Sequence, residues 1–397
     1  MQNKFYLTEK LPPYIFEAIH NLKKEVAAQG VEIIDFGMGN PDSAPPAHSM
    51  KKLEELSKNP KLYGYSVVGG IDLLKQEFCN YYARRFGVDL DYKSEAIVTI
   101  GAKEGLTSLA TAIASADNYI MVPSPSYPIH TFAFIISKSN VVHINAIKSA
   151  DFLRQFKNHV ETAAKKPLAV LVNYPCNPTS EIVGIDFYEE LVAFCKHHKI
   201  YIISDIAYAE IYYDANVYKP CSVLQVRGAK DVAIEFSSVS KSYSLAGTRT
   251  GFAAGNKNLI AALYKIKSYL DYGSFDITQM VVADALTIKS EEYLTELRAK
   301  YKRRVEFMVK MLAQELNWHV EMPKAGMFIW AKMPSQFALI KSFDFCKQLL
   351  EETGVAISAG SGFGENGEGF VRFSLIHDED MIAKAVALMK NFFNKKI

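Results

Sequence analysis

Lys241 sits among small hydroxyl residues in the run Ser238-Val239-Ser240-Lys241-Ser242-Tyr243-Ser244, and Arg249 closes the same stretch. An apolar segment, Val232-Ala233-Ile234-Glu235-Phe236, comes just before and reads as a buried strand. A lysine past a strand, among serines and ahead of a cation, is placed to carry a Schiff base beside a bound phosphate. The run alone decides little, because the chain has 45 Lys and Arg residues and most lysines are solvated surface charges. Its weight comes from the partners that other segments supply.

A Schiff base beside a phosphate points to pyridoxal 5'-phosphate (PLP), and each part of that cofactor finds a candidate. For the phosphate, Ala96–Ile100 runs into Gly101-Ala102-Lys103-Glu104-Gly105, where a helix begins. Free N–H groups in a first helical turn together with the helix dipole form an anion site. Many strand–helix turns carry glycine for structural reasons alone, so this signal needs its neighbours. Arg249 adds a charge-assisted grip and Ser238 a hydroxyl, with Ser240 less favoured. For the ring nitrogen, Asp205 follows the buried run Ile200–Ser204. A lone Asp there more often caps a helix, but PLP needs a carboxylate to keep its pyridine nitrogen protonated. Tyr208 is placed to donate to the ring's phenolate oxygen, against the alternative of a core aromatic. In Asn173-Tyr174-Pro175-Cys176-Asn177-Pro178-Thr179 two prolines fix a loop and hold Asn177 extended, so its amide can face inward. Tyr127, held between Pro125 and Pro128, is a candidate to stack on the ring, or else a packed surface tyrosine. Arg372 lies inside the apolar run Phe370–Leu375 and needs an anionic partner, either a structural carboxylate or that of a substrate.

These residues need a scaffold. The apolar runs Ala96–Ile100, Tyr119–Val122, Leu168–Asn173, Ile200–Ser204, Val232–Phe236 and Thr250–Ala254 read as strands. Helix-like stretches such as Lys103–Ala114 and Phe187–His198 lie between most of them. That alternation predicts an α/β fold with a mostly parallel sheet covered on both faces, whose ligands bind at the carboxyl ends of the strands. Beyond about residue 285 the pattern changes to a long helix, Glu291–Gln314, and then a smaller α+β unit with strands Met327–Trp330 and Phe370–Leu375. The expected division is a large cofactor-binding domain, 41–285, and a discontinuous small domain of 1–40 and 286–397.

Composition narrows the class. Hydrophobic residues make up 49% and charged residues 22% of the 397, the balance of a globular protein. A net charge of +2 creates no long-range field, so neither nucleic acid nor a membrane is an expected partner. The five cysteines are dispersed with no CxxC pair, which fits a reduced compartment, and no metal site is expected. The N-terminal residues lack the apolar segment of a secretory signal, and no run approaches the ~18 apolar residues of a membrane span. A cytoplasmic location is the expectation.

With those motifs in place, the chain resembles the class I/II aminotransferases, fold type I PLP enzymes, from about Pro12 to Arg372. Met38-Gly39-Asn40-Pro41-Asp42 and Tyr65-Ser66-Val67-Val68-Gly69-Gly70-Ile71 add to the likeness. The resemblance implies a homodimer with active sites at the interface and small amino-acid and 2-oxo-acid substrates. It implies that Lys241 carries the Schiff base and shuttles the proton, that Asp205 pairs with the ring nitrogen, and that Tyr208 and Asn177 bind the phenolate oxygen. Tyr127 would stack on the ring, while the Ala102–Lys103 amides, Ser238 and Arg249 hold the phosphate. Arg372 would take the substrate carboxylate beside the Gly39 backbone, and Tyr65 would reach the other subunit's phosphate. Thr248, Thr250, Cys176 and Ser180 depart from the family pattern, Ser180 standing where glycine is common. Leu11-Pro12-Pro13-Tyr14, Asp35–Asp42, Ala96–Leu106, Tyr127–His130 and Ile266–Gly273 look most like bacterial alanine (glutamate–pyruvate) aminotransferases. The alternatives are an aspartate or other aminotransferase, a PLP-dependent C–S lyase, and a PLP-sensing regulator. The last would need a DNA-binding module for which little chain precedes Met38.

Overall fold

Strands form where short apolar runs carry β-branched residues that two covering layers can bury. In the computed structural model, which describes residues 5, 7, 9, 11, 12 and 15–395, twelve strands are found. In chain order they are β1 (Ile34–Asp35), β2 (Ala96–Thr99), β3 (Tyr119–Ser124), β4 (Asn140–Asn145), β5 (Ala169–Asn173) and β6 (Tyr201–Asp205). There follow β7 (Ala233–Ser238), β8 (Gly251–Gly255), β9 (Phe328–Lys332), β10 (Val355–Ala356), β11 (Ser358–Ala359) and β12 (Phe370–Ser374). Pro13 and Tyr14, from the Leu11–Tyr14 run, lie outside the described residues.

Seven strands make the main sheet in the order β2-β8-β7-β6-β5-β3-β4. All neighbours are parallel except β8, which runs against both β2 and β7. The α/β class with a mostly parallel sheet therefore holds. Along β5, Val170 and Val172 join one core cluster while Ala169 and Leu171 join another. Ile202 and Ile203 of β6 divide in the same way. The period of two thus feeds cores on opposite faces, and each fully buried Val, Leu or Ile contributes about 1.5–3 kcal/mol.

The sequence reading had no strand at Asn140–Asn145. As β4 it is the sheet's edge, pairing with β3 alone, and its residues are mostly exposed or half-buried. An edge strand lacks the continuous apolar run of a central one. Asp205, expected just past its strand, is the last residue of β6.

The C-terminal part builds a three-stranded antiparallel sheet, β11-β12-β9, and a two-stranded parallel ribbon, β1-β10. Its core joins Ile34 and Phe36 to Leu297, Met308, Phe328, Phe373 and Phe393. The helix Glu291–Leu316 puts Leu297, Tyr301, Val305, Met308 and Leu312 into that core at helical spacing. Among the described residues no helix is long and apolar enough to cross a membrane.

Candidate active site

The carboxyl ends of the central strands lie side by side, with Asn173 of β5 opposite Asp205 of β6. A cavity of about 590 Å³ opens there. Its lining includes Gly39, Ala102, Lys103, Tyr127, Asn177, Asp205, Tyr208, Ser238, Lys241, Arg249 and Arg372. Tyr65 is the one site candidate absent from that lining. It is 89% exposed, and its ring lies 5.1 Å from that of Tyr272.

At one end the helix Ala102–Ile113 starts from Gly101 with no side chain capping it. Gly101 has φ 79°, and a Cβ there would lie 2.6 Å from Arg249 Nη2. Glycine is therefore required both for the turn and for the guanidinium that folds over it. Arg249 itself adopts φ 50° and donates from Nη1 to Ala246 O at 2.8 Å. Ser238 ends β7 and caps the short helix Val239–Ser242, accepting from Ser240 N–H at 3.1 Å. Its hydroxyl lies 2.9 Å from that of Ser240. An uncapped helix start, an arginine and two hydroxyls thus meet at one end, the donor set that a phosphate dianion requires.

Asp205 occupies the floor. Its Oδ1 accepts from Ala207 N–H at 3.0 Å, and Oδ2 lies 3.0 Å from Nε2 of His130. A carboxylate accepts only, so His130 Nε2 carries the proton. His130 is fully buried, and its Nδ1 has no hydrogen-bond partner among the described residues. Sequence reasoning gave His130 no role. The available signal was its place in the first turn of the helix Ile129–Ile136, which Pro128 starts just beyond β3. Tyr127 stands edge-on to that imidazole, centroids 5.9 Å apart. The turn after β6 is anchored by buried Glu210, which pairs with Arg85 and Arg298 and accepts from Tyr81 at 2.7 Å. Two residues earlier this turn carries Tyr208, whose hydroxyl accepts from Asn177 Nδ2 at 3.4 Å.

On the opposite wall Arg372 donates from Nη1 to Asn177 Oδ1 and from Nη2 to Gly37 O, both at 2.7 Å. Its guanidinium lies over Phe328 and Phe363, at 4.3 and 4.6 Å from the ring centroids. The backbone carbonyl that holds Arg372 is that of Gly37. Gly39 lines the same cavity, and its carbonyl takes the Lys241 ammonium at 2.5 Å. Glycine is required at 39 by close packing, since a Cβ would lie 2.9 Å from the Phe328 ring.

Lys241 shares the space between these walls with two other cations. Burial, with Arg372 and Arg249 nearby, lowers its amine from 10.5 to about 8. Burial raises the Tyr208 hydroxyl, against the pull of Arg372, so it stays protonated and able to donate.

A lysine amine poised to lose its proton, a carboxylate on the floor and an anion cradle at the carboxyl ends of a doubly covered sheet define a fold type I PLP enzyme. The chain belongs to the class I and II aminotransferases, whose family model matches residues 31–388. It is 41% identical over 392 residues to the glutamate-pyruvate aminotransferase AlaC of Escherichia coli (strain K12), covering 99% of this chain and 94% of that protein. It is 40% identical over 377 residues to the LL-diaminopimelate aminotransferase of Maridesulfovibrio salexigens, covering 95% and 96%. Among solved structures, substrate-bound BacF from Bacillus subtilis superposes with a TM-score of 0.92 at 30% identity, covering 99% of this chain and 98% of that one. The protein is a PLP-dependent aminotransferase acting on small molecules.

Proposed function

We propose that this enzyme exchanges the amino group between alanine and 2-oxoglutarate, and between glutamate and pyruvate, as a cytoplasmic homodimer. The cofactor, when bound, supplies the carbonyl that receives the amino group and the ring that draws electrons from the substrate Cα. The transamination chemistry in this reading is carried by the placement of Lys241, whose Nζ donates to Gly39 O at 2.5 Å inside the cavity lined by Asp205, Arg249 and Arg372. With a pKa of about 8, its amine has a neutral fraction near neutral pH and can act as a base.

In this reading Arg372 takes the substrate α-carboxylate in a bidentate grip, with Asn177 fixing the guanidinium on one side. Lys241 removes the Cα proton and would return it to the cofactor carbon on the far side of the nitrogen, a 1,3 shift that one base can carry out. Asp205, steadied by His130, would keep the ring nitrogen protonated. Tyr208 and Asn177 would serve the phenolate oxygen, and Tyr127 would stack on the ring. The Ala102 and Lys103 amides, Ser238 and Arg249 would hold the phosphate. The second half-reaction runs backwards with the other oxo acid.

The dimer reading is supported by exposed aromatics: Tyr65, Tyr269, Leu270 and Tyr272 are 89%, 80%, 63% and 66% exposed, and the rings of Tyr65 and Tyr272 lie 5.1 Å apart. In the homodimer Tyr65 reaches the phosphate of the partner site. We take 41–285 as the large domain, with 1–40 and 286–397 as the small one.

The alanine–glutamate pairing is supported by the likeness to AlaC. A longer diamino diacid is the second reading, favoured by Glu17, His20 and Lys23 along one side of the cavity and by the likeness to the diaminopimelate enzyme. The deciding experiment is a donor panel of alanine, glutamate, aspartate and LL-diaminopimelate against pyruvate and 2-oxoglutarate. We expect the highest kcat/KM for alanine with 2-oxoglutarate and glutamate with pyruvate. A higher value for aspartate or LL-diaminopimelate would overturn the assignment, and 2-oxo acid and ammonia released without an acceptor would point to a lyase.

A further inference from the structure

Arg372 can grip a carboxylate in two places only if its own plane is fixed, and Gly37 O is one of the acceptors that fix it. That carbonyl accepts from Arg372 Nη2 at 2.7 Å and from Ser358 Oγ at 2.8 Å. The peptide N–H of Gly37 is held in turn, donating to Asp35 Oδ1 at 2.7 Å. Such a side-chain contact two residues on sets the turn that follows β1. The other carboxylate oxygen, Asp35 Oδ2, accepts from Lys23 Nζ at 2.5 Å. Lys23 belongs to the helix Ile15–Ala28 and lines the cavity. The side chains of Lys23 and Asp35 are 17% and 29% exposed, so solvent screens the pair only in part. A continuous hydrogen-bonded path thus runs from the helix through Lys23, Asp35 and Gly37 to Arg372, and on to Asn177 and Tyr208.

We propose that Asp35, held by Lys23, is a positioning residue for substrate recognition: it fixes the Gly37 turn that orients Arg372, while Lys23 cancels its charge. The inference rests on the reading of Arg372 as the substrate-carboxylate clamp. Two separate contributions follow from the geometry. The Asp35 oxygen facing Gly37 supplies the turn, which an amide oxygen also supplies. The Lys23 ammonium supplies neutrality, without which a carboxylate would stand two residues from the carbonyl that binds Arg372 and repel each incoming acid.

Steady-state kinetics of the holoenzyme with amino acid and 2-oxo acid test this. Lys23→Met should raise KM for both substrates by about tenfold, with kcat changed by less than about threefold. Adding Asp35→Asn should bring KM most of the way back, because the uncompensated charge is gone and the acceptor for Gly37 N–H remains. A defect in folding alone lowers the amount of active enzyme and leaves KM unchanged, so the KM shift separates the two, and Lys23→Arg should keep the wild-type KM. An unchanged KM in Lys23→Met, or a loss in kcat that Asp35→Asn does not relieve, would overturn the proposal. Arg372→Lys in the same series separates the two readings. A flat KM there removes the carboxylate clamp itself, while a raised KM there with a flat KM in Lys23→Met removes only the role of Asp35 and Lys23.

Discussion

Among the described residues Lys267 is buried and Lys241 half-buried, and their neighbours differ in sign. Lys267 is fully buried in the helix Lys257–Leu270, with Glu104 Oε2 at 3.0 Å and Asp271 Oδ2 at 2.8 Å. Its charge is answered twice, and it staples that helix to the helix Ala102–Ile113, whose first turn borders the cavity. Lys241 faces a peptide carbonyl and two arginines, and among the described residues no carboxylate forms an ion pair with it. A buried amine hydrogen-bonded to two acids holds structure. An amine crowded by cations gives up its proton easily, and the anions that would balance its surroundings arrive with cofactor and substrate.

The sharpest way to break this contrast is to remove each amine in turn. Lys241→Ala should keep the fold and still bind PLP at the phosphate cradle, yet lose turnover by at least about a thousandfold. Repeated turnovers at a rate near wild type, followed by oxo-acid release, would take the base role away from Lys241. Lys267→Met should do the reverse. It leaves Glu104 and Asp271 without their cation, 27% and 16% exposed, and should lower stability by about 2–3 kcal/mol while kcat of the folded holoenzyme changes little. Denaturant midpoints read the first quantity and saturating kinetics the second. A large kcat loss without destabilisation would erase the distinction between the two lysines.

The sequence showed one half of the contrast more clearly than the other. The central strands were legible because runs such as Leu168–Asn173 are apolar on both faces, and the site candidates stand at their carboxyl ends. Strand β4 was not, because an edge strand alternates with solvent, and two-residue strands such as β1 and β10 are too short to carry a period. His130, Lys23 and Asp35 were not singled out for any contact, since the pairs His130–Asp205 and Lys23–Asp35 join residues 75 and 12 positions apart that only the folded chain brings together. Lys267 was likewise invisible as a staple, its acid Glu104 lying 163 positions off. The departure at Ser180 has a local meaning that the sequence did hold. It adopts φ 55°, the conformation for which glycine is the relaxed choice, and its hydroxyl donates to Phe328 O at 2.9 Å.

The contrast also has a pH signature, smaller than either substitution. In the unfolded chain Lys241 titrates near 10.5, and in the folded apo-enzyme near 8. Between those values the unfolded state binds a proton that the folded state does not, so stability rises with pH across that window. Below pH 8 the folded state carries the full cost of a cation beside Arg372 and Arg249, and above 10.5 the amine is neutral in both states. Tyrosines and cysteines titrate in the same range, so the readout is the difference between wild type and Lys241→Met, measured without phosphate. That difference should shift in favour of wild type by on the order of 1–2 kcal/mol from pH 8 to 10.5, with denaturant midpoints of the apo forms as the measurement. A difference that stays flat between pH 8 and 10.5 would mean that burial, Arg372 and Arg249 have no hold on the Lys241 proton.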